Sequence, residues 1–191
     1  FTRTDLWPEE RVTVGIISPE TRSSMLARVD EFTRRDIPFF FDPGQITPRF
    51  TADELINCFR KARYVVMSDY ELELIKRITN IKEKALLDLC EVLIVTQAEQ
   101  GATVLTHQES LHVRACPVRA HDTIGAGDAF RAGLLHAVLH NLDWKHALQL
   151  GCALASFKVQ SEGAQTYCPT RQELIERLIA TYGDAAVGYA L

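Results

Sequence analysis

The sequence predicts an α/β protein with a mostly parallel sheet and helices on both faces. Short, continuous apolar runs, typical of strands that are buried on both faces, alternate with longer segments in which apolar residues recur at helical spacing. Strands and helices that alternate in this way form parallel sheets through right-handed crossovers. After Gly101 two short strand-like runs follow each other directly, which adds an antiparallel edge hairpin to the prediction.

The composition is that of one ordinary globular domain. The 191 residues are 47% hydrophobic and carry a formal net charge of −4, which allows a real core. The sequence has no basic run, so we expect neither a nucleic-acid partner nor binding to an anionic membrane. No repeat or linker divides the chain, and we predict a single α/β domain over residues 1–191.

The cysteines and the terminal segment bear on location. The five cysteines are odd in number, widely spaced and without a C-x-x-C pair, so neither a disulfide framework nor a zinc site is predicted and a reducing cytoplasm is expected. No apolar run approaches the roughly 20 residues of a membrane span. Residues 1–5 do not resemble a signal sequence, and the missing initiating Met leads us to expect a fragment of a longer protein.

The elements follow in order along the chain. Apolar runs predict four strands of the parallel sheet, at residues 11–18, 37–41, 64–67 and 92–96. The hairpin strands are predicted at residues 102–105 and 111–116. Helical spacing predicts seven helices, at residues 21–35, 51–63, 70–78, 82–90, 126–140, 144–160 and 169–182. Ligands of open α/β sheets bind outside the carboxyl ends of the strands, so functional residues are expected there.

Residues 121–130, with the sequence HDTIGAGDAF, join a loop to an apolar helix. Gly125 and Gly127 have no Cβ, which allows positive φ and close approach to a ligand. The N–H groups of a first helical turn have no intrahelical acceptors, so the amides of Gly125, Ala126 and Gly127 are predicted to form an anion hole for a phosphate. Asp128 lies in the same turn. It is either a helix-stabilising acid or a general base for an attacking hydroxyl.

The run DTIGAGDAF, residues 122–130, resembles the D-T-x-G-A-G-D signature of the ribokinase-like (PfkB-type) carbohydrate and nucleoside kinases. The alternative is a Gly-rich turn with an acidic cap in an unrelated α/β protein, which a shorter match would favour. The resemblance implies an enzyme that transfers the γ-phosphoryl group of ATP to a hydroxymethyl group of a nucleoside or sugar, with Asp128 as the catalytic residue. Residues 41–45, 48–50 and 169–171 look most like bacterial adenosine-kinase-type members, so adenosine is the expected acceptor.

Two further stretches resemble the nucleotide and magnesium motifs of the family. The family's N-x-x-E motif corresponds to residues 68–71, which keep Glu71 as a ligand of Mg2+ through water but place Ser68 where the family has an amide. The structural alternative is a helix N-cap at Ser68 with Glu71 as its capping-box partner. The family's T-x-G-x-x-G motif is matched by Thr96 and Gly101, whereas Ala98 departs from it, and a simple strand-to-hairpin turn is the alternative. Ser68, Thr96 and Gly101 are the nucleotide-binding residues that the resemblance implies.

The resemblance also implies a monovalent cation. Asp122 and the backbone of Ile124, with the region of Gly163, resemble the loop pair that holds such a cation in many relatives, so potassium (K+) is an expected cofactor. The stretch 151–159 resembles the helix beside the adenine, although its small residues equally suit close helix packing. The six histidines have no metal-ligand spacing.

The resemblance covers residues 11–182 and corresponds to the C-terminal part of a complete family member. We therefore expect the N-terminal strands and the lid over the acceptor to be absent from this chain, which would be the nucleotide-binding and catalytic part of a larger kinase, compatible with a homodimer. The alternative is a catalytically weak or inactive nucleotide-binding relative with a regulatory role. Ser68 and Ala98 favour that alternative, since both departures fall where the nucleotide is expected.

Overall fold

The computed structural model describes residues 12–187, in which strands and helices alternate as predicted. The strands are β1 (Gly15–Ile17), β2 (Phe39–Phe41), β3 (Tyr64–Ser68), β4 (Val92–Thr96), β5 (Ala102–Thr106) and β6 (Ser110–Val113). The helices are α1 (Arg22–Arg34), α2 (Ala52–Lys61), α3 (Asp69–Thr79), α4 (Glu83–Leu87), α5 (Ala126–Leu139), α6 (Trp144–Val159) and α7 (Arg171–Tyr182). Arg11, the first residue of the first predicted strand, lies outside the described residues.

The strands form a sheet in the order β1-β2-β3-β4-β5-β6. Strands β1 to β4 pair in parallel, with Gly15 opposite Phe39 and Tyr64 opposite Val92. Strands β5 and β6 come last in this order and are joined by a tight turn, in which the Thr106 N–H donates to the Glu109 carbonyl at 2.9 Å. The predicted α/β class, with a mostly parallel sheet and an edge hairpin, is therefore confirmed.

Strand β2 explains why a continuous apolar run becomes a strand here. Successive side chains of a strand point to opposite faces of the sheet. Phe39 and Phe41 belong to a core cluster with residues of α1, α2 and α3, whereas the ring of Phe40 stacks on Tyr64 at 4.4 Å between centroids. All three phenylalanines are at most 1% exposed. Both faces of β2 are thus covered, as the run FFF predicts.

The structure divides into two compact units. The first is the chain up to Thr96 together with Leu105–Ser110, and the second is Gln97–Val104 together with the chain from Leu111 onward. Within the residues that the structure describes, no helix is both long and apolar enough to cross a bilayer.

Helices α5 and α6 of the second unit pack with their backbones in contact. A Cβ added to Gly133 of α5 would lie only 2.7 Å from the Cα of Gly151 in α6. A Cβ on Gly151 would lie 2.8 Å from the ring of Phe130. Real Cβ atoms do not approach other atoms so closely, so the small residues at the start of the stretch 151–159 have a packing reason.

Several predicted elements are shorter than the pattern indicated, and β1, α4 and β6 differ most. Strand β1 spans Gly15–Ile17 rather than residues 11–18, because it pairs only with the three residues of β2. Helix α4 spans Glu83–Leu87 rather than residues 82–90, because the Leu89 N–H turns back to the Leu86 carbonyl at 3.0 Å and the chain then enters β4. Strand β6 ends at Val113 rather than at residue 116, because the Arg114 carbonyl accepts the Tyr182 hydroxyl of α7 at 2.7 Å instead of a sheet partner. A local hydrogen bond thus ends α4, whereas a hydrogen bond from a distant residue marks the end of β6.

Candidate active site

Helix α5 begins directly after Gly125, a position that only glycine can occupy without strain. Gly125 is the N-cap residue and has φ +87°, in the left-handed region. A Cβ on Gly125 would lie 3.1 Å from the Ala164 carbonyl oxygen and 3.2 Å from the Ala164 side chain. Gly125 makes no side-chain cap hydrogen bond. The start of α5 is therefore uncapped and pressed against the loop that contains Ala164.

The amides of this first turn differ in what they donate to. The Ala126 N–H donates to the Thr123 carbonyl at 3.1 Å, and the Ala129 N–H makes the first bond back to the N-cap carbonyl at 3.0 Å. In the described part of the chain, no backbone oxygen accepts the N–H of Gly127 or Asp128. These two donors stand at the positive end of the helix dipole, where an anion is stabilised. Of the predicted anion-hole residues, Ala126 is engaged in the turn, and the Asp128 amide is a donor that the sequence reasoning did not name.

The Asp128 carboxylate lies in the first turn of α5 and is 72% exposed. Its Oδ1 forms an ion pair with the Arg131 guanidinium one turn later. Tyr167 is a further neighbour, since burial and then the nearby Asp128 charge raise the pKa of its phenol. Arg131 and Tyr167 were not predicted from the sequence. The i, i+3 spacing of Asp128 and Arg131 was the available signal for that ion pair.

The Asp122 side chain links the loop before α5 to a second loop. Its Oδ1 accepts the Ile124 N–H at 2.9 Å, and its Oδ2 accepts the Gly163 N–H at 2.8 Å. These two backbone hydrogen bonds, together with the nearby Lys158 ammonium, hold the pKa of Asp122 below its ordinary value of 3.8. The structure thus brings together Asp122, Ile124 and Gly163, as the sequence predicted.

A buried lysine lies at the same junction and was missed by the sequence reasoning. Lys158 of α6 is 0% exposed, and its Nζ donates to the Asp122 carbonyl at 2.8 Å and to the Ser161 carbonyl at 3.1 Å. The signal in the sequence was its place inside the apolar run 153–159. Lysine side chains on helices are normally exposed, so the residue type masks this signal.

Ser68 and Glu71 form a reciprocal capping box at the start of α3 in the first unit. The Ser68 Oγ accepts the Glu71 N–H at 3.2 Å, and the Glu71 Oε2 accepts the Ser68 N–H at 2.7 Å. The structural alternative for this motif is therefore realised. Ser68 also lies opposite Thr96 in the pairing of β3 with β4, so these two predicted residues stand side by side where both strands end.

The stretch after Thr96 is held by backbone geometry. Gly101 has φ +110°, and a Cβ there would lie 2.0 Å from the Val113 carbonyl oxygen. Ala98 begins a short 3-10 helix, Ala98–Gln100, and has φ +48°, which is unusual for a residue with a side chain. Gly101 therefore has a structural reason to be glycine, and Ala98 carries strain where the family motif has glycine.

The residues that could hold a metal are few. Within residues 12–187, no three His, Cys, Asp or Glu side chains are grouped to hold a metal ion. Glu71 is half-buried and has one carboxylate oxygen in the capping box, so its other oxygen fits a contact through water better than a direct bond. Magnesium suits such a contact because it keeps several of its waters.

A mostly parallel α/β sheet and a helix that opens on G-A-G-D place the protein in the ribokinase-like class. The family described as pfkB family carbohydrate kinase matches residues 10–171. The chain belongs to this family, which confirms the resemblance drawn from the sequence.

Relatives and solved structures give the same result. The nucleoside kinase of Methanocaldococcus jannaschii is 31% identical over 139 residues, which are 72% of this chain and 46% of that protein. The Burkholderia thailandensis nucleoside kinase in complex with inosine is similar with a TM-score of 0.89 and 32% identity, over 92% of this chain and 58% of that one. The structure of the same kinase in complex with ADP-inosine has a TM-score of 0.86 and 33% identity, over 92% of this chain and 56% of that one. The chain thus spans about half the length of the relatives it matches.

Proposed function

We propose that the protein containing this chain is an ATP-dependent kinase that transfers the γ-phosphoryl group to a hydroxymethyl group of a nucleoside, with adenosine as the first acceptor to test. One observation carries the proposal. Among residues 12–187, no side chain caps the start of α5 and no backbone oxygen accepts its Gly127 and Asp128 amides, while the Asp128 carboxylate extends from the same turn. The family and the two nucleoside kinases support this reading.

The proposed chemistry assigns base and anion hole to a single helical turn. The Asp128 Oδ2 takes the proton of the acceptor hydroxyl, because Oδ1 is paired with Arg131. The hydroxyl oxygen then bonds to the γ-phosphorus, the bond from that phosphorus to the bridging oxygen breaks, and ADP leaves. The open amides and the helix dipole stabilise the charge on the transferring phosphoryl oxygens.

Ser68, Thr96 and Gly101 are proposed to contact the nucleotide. Glu71 would hold magnesium through water, using the carboxylate oxygen that is outside its capping box. When bound, magnesium neutralises charge on the phosphates of ATP. A homodimer and a cytoplasmic location of the complete protein stay predictions.

Substitution of Asp128 tests the proposal. The D128N variant of the complete protein keeps the shape of the side chain but not the base, so kcat should fall by about 10²- to 10⁴-fold, with the Kd for ATP nearly unchanged. The measurement is acceptor-dependent ADP release over a panel of adenosine, inosine, guanosine and ribose with magnesium.

The matched control is D143N. Asp143 caps α6, where its Oδ1 accepts the His146 N–H at 2.9 Å. D143N makes the same chemical change at a helix start outside the proposed site, where asparagine still caps, and it should keep the wild-type kcat. If D128N turns over as fast as D143N, Asp128 is only a helix-start acid and the proposed mechanism is wrong.

The second candidate is a nucleotide-binding relative without turnover. The closed capping box at Ser68 and the strained backbone of Ala98 favour it, because both lie where the resemblance puts the nucleotide. The same assay separates the two functions. ATP binding without ADP release on any acceptor of the panel would support the second candidate against the first.

A further inference from the structure

Lys158 is a buried charge that the proposed chemistry does not use. It is the one lysine or arginine at 0% exposure among residues 12–187, and it sits on α6 in the second unit. Burial of an ammonium is costly unless oxygen atoms surround it. A residue kept there against that cost has a role that an ordinary apolar side chain would not fill.

The ammonium is surrounded by oxygen atoms of two loops. Nζ donates to the Asp122 carbonyl at 2.8 Å and to the Ser161 carbonyl at 3.1 Å, and it lies 3.7 Å from the Asp122 Oδ2. Two of these contacts are hydrogen bonds and the third is an ion pair, so the charge is compensated by oxygen atoms on more than one side. Asp122 belongs to the loop before α5, and Ser161 belongs to the loop after α6.

The two loops so joined reach the open start of α5. The Asp122 Oδ2 also accepts the Gly163 N–H at 2.8 Å, which binds the second loop again. The next residue, Ala164, lies so close to Gly125 that a Cβ on Gly125 would be only 3.1 Å from the Ala164 carbonyl oxygen. A shift of either loop would therefore move the N-cap of α5 and the amides that follow it.

A monovalent cation does not fit this junction. The resemblance to the family implies such a cation at Asp122 and Ile124, yet carbonyl and carboxylate oxygens of the kind it would need already bind the Lys158 ammonium. The two carboxylate oxygens of Asp122 each already accept a backbone N–H, Oδ1 from Ile124 at 2.9 Å and Oδ2 from Gly163 at 2.8 Å. A second positive charge beside the ammonium would be repelled, since like charges at a few ångströms in a protein interior interact strongly.

We propose that the Lys158 ammonium takes the place of a bound monovalent cation, holding the two loops that position the start of α5, so that the protein needs no K+. This inference rests on the proposed function for its effect on turnover. Lys158 is then a positioning residue, which acts on the anion hole through Asp122 and Ser161. Its role in joining the loops can be measured without any turnover.

The test compares wild type, K158M and K145M of the complete protein in chloride salts of K+ and of tetramethylammonium at equal ionic strength. Methionine is one atom shorter than lysine, so K158M vacates the ammonium position beside its oxygen ligands. Lys145 is an exposed lysine of the same helix, and K145M is the matched control. Melting temperature and kcat are measured in each salt.

Wild type and K145M should have the same melting temperature and kcat in both salts. K158M in tetramethylammonium should melt at a lower temperature and lose about 10²-fold in kcat through misplaced groups, and K+ should restore part of both. A K158M that equals wild type in tetramethylammonium, or that K+ does not restore, would overturn the proposal.

If K158M does not fold, the measurements on wild type still test the proposal. A melting temperature or kcat of wild type that rises specifically in K+ would show that the protein still binds the cation, against the proposal. If wild type phosphorylates no acceptor, the proposed function fails, but the melting temperatures in the two salts still decide the role of Lys158.

Discussion

Helices α3 and α5 begin in opposite ways. Ser68 and Glu71 close the start of α3 with two reciprocal hydrogen bonds, and the same type of capping box closes α2 and α7. The start of α5 has Gly125 in place of a capping side chain and makes no side-chain cap hydrogen bond. A capping side chain satisfies N–H groups that a ligand would otherwise bind. The comparison teaches that a capping side chain stabilises one kind of helix start, whereas the other keeps backbone donors without a cap.

The largest effect is expected from a side chain at the open start. G125A would force alanine into φ +87° against Ala164, so the free energy of unfolding should fall by about 1 to 2 kcal/mol. Displacement of the following amides should lower kcat by about 10²- to 10³-fold. Chemical denaturation and steady-state kinetics of the complete protein measure the two effects.

Gly183 offers a matched control for this change. It has φ +84° at the end of α7, and a Cβ there would meet no atom within 4 Å. Because Gly183 has ψ 174°, in a region that is essentially restricted to glycine, G183A should cost at least as much backbone strain as G125A, but with an unchanged kcat. Equal kinetic losses in the two variants would mean that the start of α5 is not special.

The closed start of α3 should respond mainly in stability. S68A removes the capping side chain and should lower the free energy of unfolding by about 1 kcal/mol. If Ser68 also contacts the nucleotide as proposed, S68A should raise the KM for ATP as well. T170A breaks the corresponding capping box of α7 and should lower stability by a similar amount without changing the KM for ATP. If both variants have the same KM, Ser68 acts only as a helix cap.

The smallest effect is expected at Ala98. An alanine in the left-handed region costs about 1 to 2 kcal/mol of stability, which glycine would avoid. Glycine loses more conformational entropy on folding than alanine, and this offsets roughly 0.5 to 1 kcal/mol of that gain. A98G should therefore stabilise the protein by about 0.5 to 1 kcal/mol, as measured by denaturant titration. Asn141 has φ +55° but tolerates it better, so N141G should gain less, and an equal or larger gain there would contradict the assigned strain.

The fold could be predicted from the sequence because its signals are local. The run FFF of β2 and the helical spacing of α1 each reflect burial within a single element, and both elements lie where they were expected. The ends of α4 and β6 were predicted too far along the chain. The end of β6 depends on the hydrogen bond from Tyr182 to Arg114, and partners 68 residues apart leave no periodic signal.

The site could be predicted only in part for a similar reason. The segment from Asp122 to Asp128 carries its chemistry in consecutive residues, so the open start of α5 follows from the sequence. The role of each of these residues stays a prediction. Lys158 lies at the same junction but belongs to another helix. Neither its burial nor the left-handed backbone of Ala98 can be read from the type of the residue or from its neighbours in the sequence. Tertiary contacts decide both.

The contact between Gly133 and Gly151 has a mechanical consequence. Helices that meet through long side chains can shift relative to each other when those side chains change rotamer. Two helices whose backbones are in contact have no such side chains between them, so they cannot shift in this way. Helix α5 carries Asp128 and α6 carries Lys158. A displacement of one helix along its axis would therefore displace the other as well, so the two helices would move as one rigid unit.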